Sequence, residues 1–406
     1  MDQLTFDEFV SRVESGRVRI GFQLVVGRGG SLFLHSLLDN HQQVLSYPGM
    51  LNFYESIAPM LNSESIGLKQ IISEELAFWN EIMMPYNVQS HLGREKEISI
   101  SIDTERIAEL TLEAAGEKLN DRKILFLALN FAIGSFFKKN MNDVRMIYCQ
   151  EHTSHPTEKM FRNALDDFPE ARFICMLRDP RANYISIKGW EEKRYFMNVK
   201  AWEVQQFQPD LFAELCIYWY SNMLKLACSF QQNFFIMRLE DLQADRASLI
   251  KKLVEFFQLE YSDRLEETTF QGALWHGDNF SPKQPGFRTS ANPSKWQNEL
   301  PVLKQVILEI ILKKEMKALN YLPRASSNPF LAFIGWLLFP VWLWDDLSKI
   351  FKKQFYISQS QKGYSRVRSF LFVIKNHLTS SLTLLKFVVS SARNYPHISK
   401  MIFKNK

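Results

Sequence analysis

Between residues 24 and 38 the chain reads Leu24–Val25–Val26–Gly27–Arg28–Gly29–Gly30–Ser31, then places Leu34, Leu37 and Leu38 at helical spacing. Glycines around one arginine let the backbone approach a bound group closely. A helix opened at Ser31 offers unbonded N–H groups and the positive end of its dipole. The chemistry is anion binding, with Arg28 placing a fixed charge beside the anion. The loop lacks the Gly–Lys–Ser/Thr ending of a Walker loop and the G-x-G-x-x-G of a dinucleotide fold. Two further groups stand where apolar runs end. Glu151, His152 and His155 follow the run at 146–149, and Arg178 follows the run at 172–177. His152 and His155 form an H-x-x-H that stops at Pro156 without further ligands at metal-site spacing, so no metal centre is expected.

These groups need strands to carry them. Leu24–Val26, residues 146–149 and residues 172–177 have the apolar character of buried parallel strands. Helical patterns follow each: from Ser31, from 157 to 167 where Phe168–Pro169 stops it, and from Arg181 through Ser186 to Trp190. Alternation of this kind predicts an α/β fold, a three-layer sandwich around a central parallel sheet. Ligands of such sheets bind beyond the carboxyl ends of the strands, where the glycine loop, Glu151 and Arg178 all fall.

The 406 residues suffice for one large domain or two, and 33 Phe, 13 Tyr and 9 Trp exclude a disordered chain. Cys149, Cys175, Cys216 and Cys228 show no C-x-x-C spacing and read as reduced, packed thiols. The first residues lack the basic and apolar regions of a signal peptide, so a cytoplasmic protein is expected. Residues 50–145 read as mainly helical, with apolar periodicity at 66–82 and 106–119. The 14 residues 124–137 are nearly all apolar but short for a membrane span, and read as a buried helix or strand pair.

Two stretches give the chain a resemblance to sulfotransferases that use 3′-phosphoadenosine 5′-phosphosulfate (PAPS). Residues 25–43, VGRGGSLFLHSLLDNHQQV, resemble the family's 5′-phosphosulfate loop, and 168–186, FPEARFICMLRDPRANYIS, resemble its 3′-phosphate motif with Arg178 and Ser186 eight apart. Weaker echoes lie at 237–242, in the helical pattern 247–257 and in Arg288–Thr289–Ser290 running to Lys295–Trp296. Gly29 stands where the family usually has Ser or Thr, and Leu32 where a second Thr is common. The resemblance implies a sulfotransferase domain over 1–325 that moves a sulfonate from PAPS, as co-substrate, to an acceptor hydroxyl.

It also implies roles. Arg28, Gly29, Gly30, Ser31 and Leu32 would hold the 5′-phosphosulfate, Arg178 and Ser186 the 3′-phosphate, and Arg288 would be a second cation. Arg28 would also stabilise charge on the leaving phosphate. Glu151 is the first choice for the base, matching the Glu of the heparan-type branch, with His152 and His155 as the other two. The acceptor is a lipid, glycan or small metabolite; no nucleic-acid partner is expected, and the oligomeric state is not readable. Two other classes stay open: a non-catalytic membrane-associated nucleotide-binding protein, and a P-loop kinase-like transferase, against which the missing Lys–Ser/Thr pair and the 178–186 motif both count.

Net charge is +5, but 12 Lys and Arg against two acids fall after residue 344, leaving an acidic body with a basic tail. The uncharged residues 329–344 are 16 in number, short of the roughly 20 needed for a span, and Pro340 interrupts them. Leu371, Ile374, Leu378, Leu382, Leu385 and Val389 then mark one helical face. The segment 326–406 is therefore expected to be a helical extension able to attach peripherally to the inner face of an anionic membrane, the competing reading being an extra layer on the domain or a dimer interface.

Overall fold

The computed structural model describes residues 4–61, 65–83, 92–151, 158–198, 220–277, 295–331, 333–335 and 337. The chain divides into two compact units. The first comprises the described residues of Met1–Leu177 and Phe230–Ala291, and the second those of Arg178–Ser229 and Asn292–Lys400.

The first unit is built on a five-stranded parallel sheet. Its strands are β1 (Arg19–Leu24), β2 (Val44–Ser46), β3 (Met146–Glu151), β4 (Arg172–Leu177) and β5 (Phe234–Arg238), in the order β2-β3-β1-β4-β5. Side chains alternate across it. Phe22, Cys149 and Phe173 face one way, where Phe22 packs on Phe126 of α5 (Arg122–Phe136) and Phe173 on Phe161 of α6 (Glu158–Asp167). Tyr148, Ile174, Met176 and Met237 face the other, joining Leu34, Leu37 and Leu38 of α2 (Ser31–Leu38) and Leu249, Leu253 and Phe257 of a later helix, Arg246–Phe257, in one core. Helices on both faces make three layers. The apolar stretch at 124–137 is thus the buried helix α5, one of the two forms its composition allows.

Two strand limits differ from the sequence reading. β1 ends at Leu24, and Val25, though buried, has already left it, its N–H donating to the Glu151 carbonyl at 3.0 Å. β3 runs two residues past Cys149, so Glu151 is its last member, paired in register with Leu24. Polar Gln150 and Glu151 hide that extension from a hydrophobicity argument. Helices α3 (Ser65–Met83) and α4 (Thr104–Ala115) account for the periodic segments between β2 and β3; Asp103 caps α4 and Asp121 caps α5, each accepting an N–H from the first turn.

In the second unit, α7 (Pro180–Asn198) starts directly after the Arg178–Asp179 pair. The helices Val302–Ile311 and Lys313–Ala318 follow, and a helical stretch begins at 329. No helix among the described residues is long and apolar enough to cross a membrane. Residues 338–406, with the helical face expected at 371–389, lie outside the described part.

Candidate active site

The glycine loop leaves β1 at the carboxyl edge of the sheet. Gly29 N–H donates to the Val26 carbonyl at 2.9 Å, closing a turn that holds Arg28 at φ 59°. A left-handed arginine costs about 1–2 kcal/mol and persists where its surroundings over-determine it. Gly30, at φ 100°, is the N-cap of α2 and brings no side-chain acceptor to the first helical turn. The amides of that turn are therefore presented to whatever lies beyond the strand ends.

Gly29 cannot carry a side chain here. A Cβ would sit 2.7 Å from the Met176 carbonyl oxygen and 3.0 Å from that of Val26, both backbone atoms. This gives a physical reason for the absent hydroxyl at position 29: the loop lies directly against the end of β4. At Gly30 a Cβ would meet the Met176 sulfur at 2.7 Å.

Beneath the loop is a buried polar relay that the sequence did not reveal. Tyr148 donates its hydroxyl to Gln23 Oε1 at 2.6 Å, and Gln23 Nε2 donates to the Ser31 carbonyl at 2.8 Å. Both side chains are fully buried. They tie adjacent strands β1 and β3 to the first residue of α2, fixing the helix end that carries the amides. A glutamine within the apolar residues 20–24 of β1 is the one sequence signal for it.

Glu151 ends β3 beside the loop and is fully buried. Leu51 N–H donates to the Gln150 carbonyl at 2.8 Å, and Asn52 N–H to Glu75 Oε1 at 3.3 Å, laying the segment 51–57 over this strand end. Phe53–Ile57 forms a π-helical turn, a rare geometry that concentrates at functional sites. It is anchored by Tyr54, whose hydroxyl donates to Asp167 Oδ2 at 3.1 Å, and Asp167 in turn receives both Nε and Nη2 of Arg122 at 2.7 Å. Neither Glu151 oxygen has a partner of hydrogen-bonding geometry. Burial, with the charges of Glu55 and Glu75, pushes its pKa well above the usual carboxylate range; the nearby amides of Tyr54 and Phe53 oppose this only in part. Glu151 is thus held toward its protonated form.

In the second unit Arg178 opens the turn into α7. Its backbone is held from both sides by Tyr220, whose hydroxyl donates to the Arg178 carbonyl at 3.0 Å and accepts its N–H at 3.4 Å. The Arg178 Nε is buried without a hydrogen-bond partner. Ser186 lies two turns along α7, half-buried. The remainder of the motif is architectural. Asp179 accepts the Arg181 N–H at 2.9 Å, Nε at 3.0 Å and Nη2 at 2.7 Å, and Arg181 Nη1 reaches Glu309 at 2.6 Å. Glu309 also accepts the amides of Arg324, Ala325 and Ser326, and the Arg181 guanidinium lies 3.9 Å above the Trp296 ring. Burial opposes the charge of both residues, but this ring of bonds outweighs it, raising the Arg181 pKa and lowering that of Glu309.

Of the residues singled out from the sequence, the first unit brings together Arg28, Gly29, Gly30, Ser31, Leu32 and Glu151 at neighbouring strand ends, and the second carries Arg178 and Ser186. His152, His155 and Arg288 lie outside the described residues. Cys149, Cys175 and Cys228 are free thiols; burial pushes Cys149, Cys175 and Cys228 upward in pKa.

Comparison with known proteins then gives the following. A family model described as "Sulfotransferase family" matches residues 22–263. No protein of curated function matches the sequence. Among solved structures, a sulfotransferase domain from the curacin biosynthetic pathway is 15% identical, covering 76% of this chain and 99% of that one at a TM-score of 0.44. A sulfotransferase domain from the olefin synthase of Synechococcus PCC 7002 is 17% identical, with coverages of 69% and 87% and a TM-score of 0.38. A sulfotransferase from Mycobacterium tuberculosis is 13% identical, with coverages of 64% and 73% and a TM-score of 0.33.

Proposed function

The chain belongs to the sulfotransferase family, and on that premise we propose that it transfers a sulfonate from PAPS to a hydroxyl of a lipid, glycan or small metabolite. The observation that carries the donor assignment is the loop itself: Gly29 locked against the end of β4, and an α2 N-terminus whose cap brings no side-chain acceptor. An anionic group supplies what that helix end lacks. The orphaned, buried Nε of Arg178 supports a second anion site of the kind a 3′-phosphate would fill.

Sulfuryl transfer is a loose in-line displacement like phosphoryl transfer. The acceptor oxygen forms a bond to sulfur while the bond from sulfur to the bridging phosphate oxygen breaks, and the phosphate keeps the electron pair. In this reading the loop amides and the Arg28 guanidinium face the charge that develops on that phosphate. Arg178 and Ser186 hold the nucleotide's 3′ end, and Arg288 adds a further cation. No metal is called for, because the transferred sulfonate carries less charge than a γ-phosphate.

The proton leaving the acceptor hydroxyl goes to Glu151, with His152 and His155 as the other candidates. Because the Glu151 pKa stands above the ordinary carboxylate range, the acid limb of kcat is displaced upward, toward the pH at which this buried carboxyl ionises. The test is transfer of labelled sulfonate from PAPS to a panel of hydroxyl acceptors. Glu151→Gln should lower turnover by about 10²- to 10⁴-fold. It should also raise the melting temperature at neutral pH, since it removes a titratable group buried beside Glu55 and Glu75. Unchanged turnover removes Glu151 from the mechanism. Donor binding with no transfer to any acceptor favours the non-catalytic reading.

A further inference from the structure

Nine large apolar side chains stand exposed among the described residues, and six of them fall in one stretch of the second unit: Val302, Leu303, Leu322, Phe330, Phe333 and Leu337. Scattered singly, such residues mean little; gathered into a short stretch, they mark a surface that meets something.

The helical stretch from 329 has its start specified locally. Asn328 Oδ1 accepts the N–H groups of Phe330 at 3.0 Å and Leu331 at 3.3 Å, with Pro329 at the first helical position. Its inward side is set by Gly335, where a Cβ would lie 2.4 Å from Val306 and 3.1 Å from Ile310 of the helix beneath. Leu331 and Ile334 are half-buried on that side. Phe330, Phe333 and Leu337, spaced three and four apart, are 68%, 65% and 63% exposed. A surface helix ordinarily turns polar residues outward; one that is apolar on both sides is built for an apolar neighbour on each.

The charges of the same stretch select that neighbour. Residues 301–337 contain Lys304, Lys313, Lys314, Lys317 and Arg324, with Lys313, Lys317 and Arg324 exposed. The two acids, Glu309 and Glu315, are buried. The surface charge of the stretch is therefore wholly positive, and the chain that follows carries 12 basic residues against two acids. Apolar and aromatic side chains among exposed lysines and arginines match a lipid surface with anionic headgroups.

We propose that this stretch docks on an anionic lipid surface, with Phe330, Phe333 and Leu337 entering the headgroup layer and the surrounding basic residues pairing with lipid phosphates. The docking is independent of the sulfonate-transfer reading, and its test needs no turnover.

The full chain is sedimented with vesicles of phosphatidylcholine alone and of phosphatidylcholine mixed with phosphatidylglycerol. Binding is expected on the mixed vesicles and weakens as salt is raised. Phe330→Ser, Phe333→Ser and Leu337→Ser together should reduce partitioning by at least about tenfold. Their melting temperature should stay at the native value, because these side chains already stand in water. Lys313→Glu with Lys317→Glu should remove the preference for anionic over neutral vesicles. Equal binding to both vesicle types, or native partitioning by the triple variant, overturns the proposal. So does failure to bind either vesicle with a dimer, seen by light scattering, that the triple variant abolishes; that result assigns the face to a second copy of the chain.

Discussion

Replacing Gly29 by alanine adds one methyl group and should cost most of the donor affinity. The new Cβ would stand 2.7 Å from the Met176 carbonyl oxygen and 3.0 Å from the Val26 carbonyl oxygen. Neither atom is the end of a flexible side chain; one belongs to a buried strand and the other to the turn that Gly29 itself closes. Relief to about 3.4 Å requires the loop to move off β4 by about 0.7 Å. Overpacking against a rigid neighbour costs about 1–3 kcal/mol. If the loop is held in place on binding, about 2 kcal/mol of that appears as lost affinity, a factor of roughly 30 at 1.4 kcal/mol per decade. The assay is calorimetric titration of native protein, Gly29→Ala and Gly29→Ser with 3′-phosphoadenosine 5′-phosphate, beside thermal melts. Both variants should bind about 30-fold more weakly, serine no better than alanine although it restores the family's usual hydroxyl. Native affinity in Gly29→Ser would show that the loop is not pinned to the strand.

Tyr148→Phe leaves Gln23 Oε1 buried without its donor, costing about 1–3 kcal/mol; a lower melting temperature together with weaker donor binding is expected, and a change in neither would detach the relay from the loop. Glu309→Gln replaces a carboxylate that accepts from Arg181 and three amides by a group with one acceptor atom, and should destabilise the second unit by about 3 kcal/mol in urea unfolding. Burial lowers the His35 pKa from 6.5 to about 4, with Asp39 opposing in part. The unfolded imidazole takes up its proton below about 6.5 and the folded one only below about 4, so stability falls as pH drops through that window, by up to about 3 kcal/mol. His35 stacks between Tyr148 and Phe270 with neither ring nitrogen bonded, so His35→Phe should flatten this slope in unfolding curves at pH 7 and 4.5; an unaltered slope would assign the acid sensitivity elsewhere.

Three of the five parallel strands, β1, β3 and β4, were legible because their carboxyl ends coincide with glycine, charge and proline, whereas β2 and β5 were not read as strands. RFICML at 172–177 is β4 residue for residue. The glycine turn between β1 and α2 was legible as a turn, since a Cβ at Gly29 or Gly30 would meet Met176. What could not be read is what depends on distant partners. The Arg178–Asp179 dipeptide, with the run to Ser186, reads first as an anion site, with a local ion pair as the competing reading. The structure spends Asp179 on Arg181, whose second partner, Glu309, is 128 positions away. Glu151 is identifiable as a carboxyl at a strand end, but its raised pKa comes first from burial and then from Glu55 and Glu75, on segments that no local pattern connects to β3. Gln23 looks like a polar lapse in an apolar run until Tyr148, two positions off its register partner on β3, donates to it. The segment after 329 is one uncharged block in the sequence, whereas its first turns split into a side packed on Val306 and a side left in solvent.

We propose that this chain binds a 3′-phosphorylated adenosine nucleotide. The experiment is calorimetric titration of the metal-free protein with 3′-phosphoadenosine 5′-phosphate, beside ATP. Micromolar binding is expected, lost in Arg178→Ala and not reproduced by ATP. No binding by a folded sample, or ATP binding equally well, would contradict it.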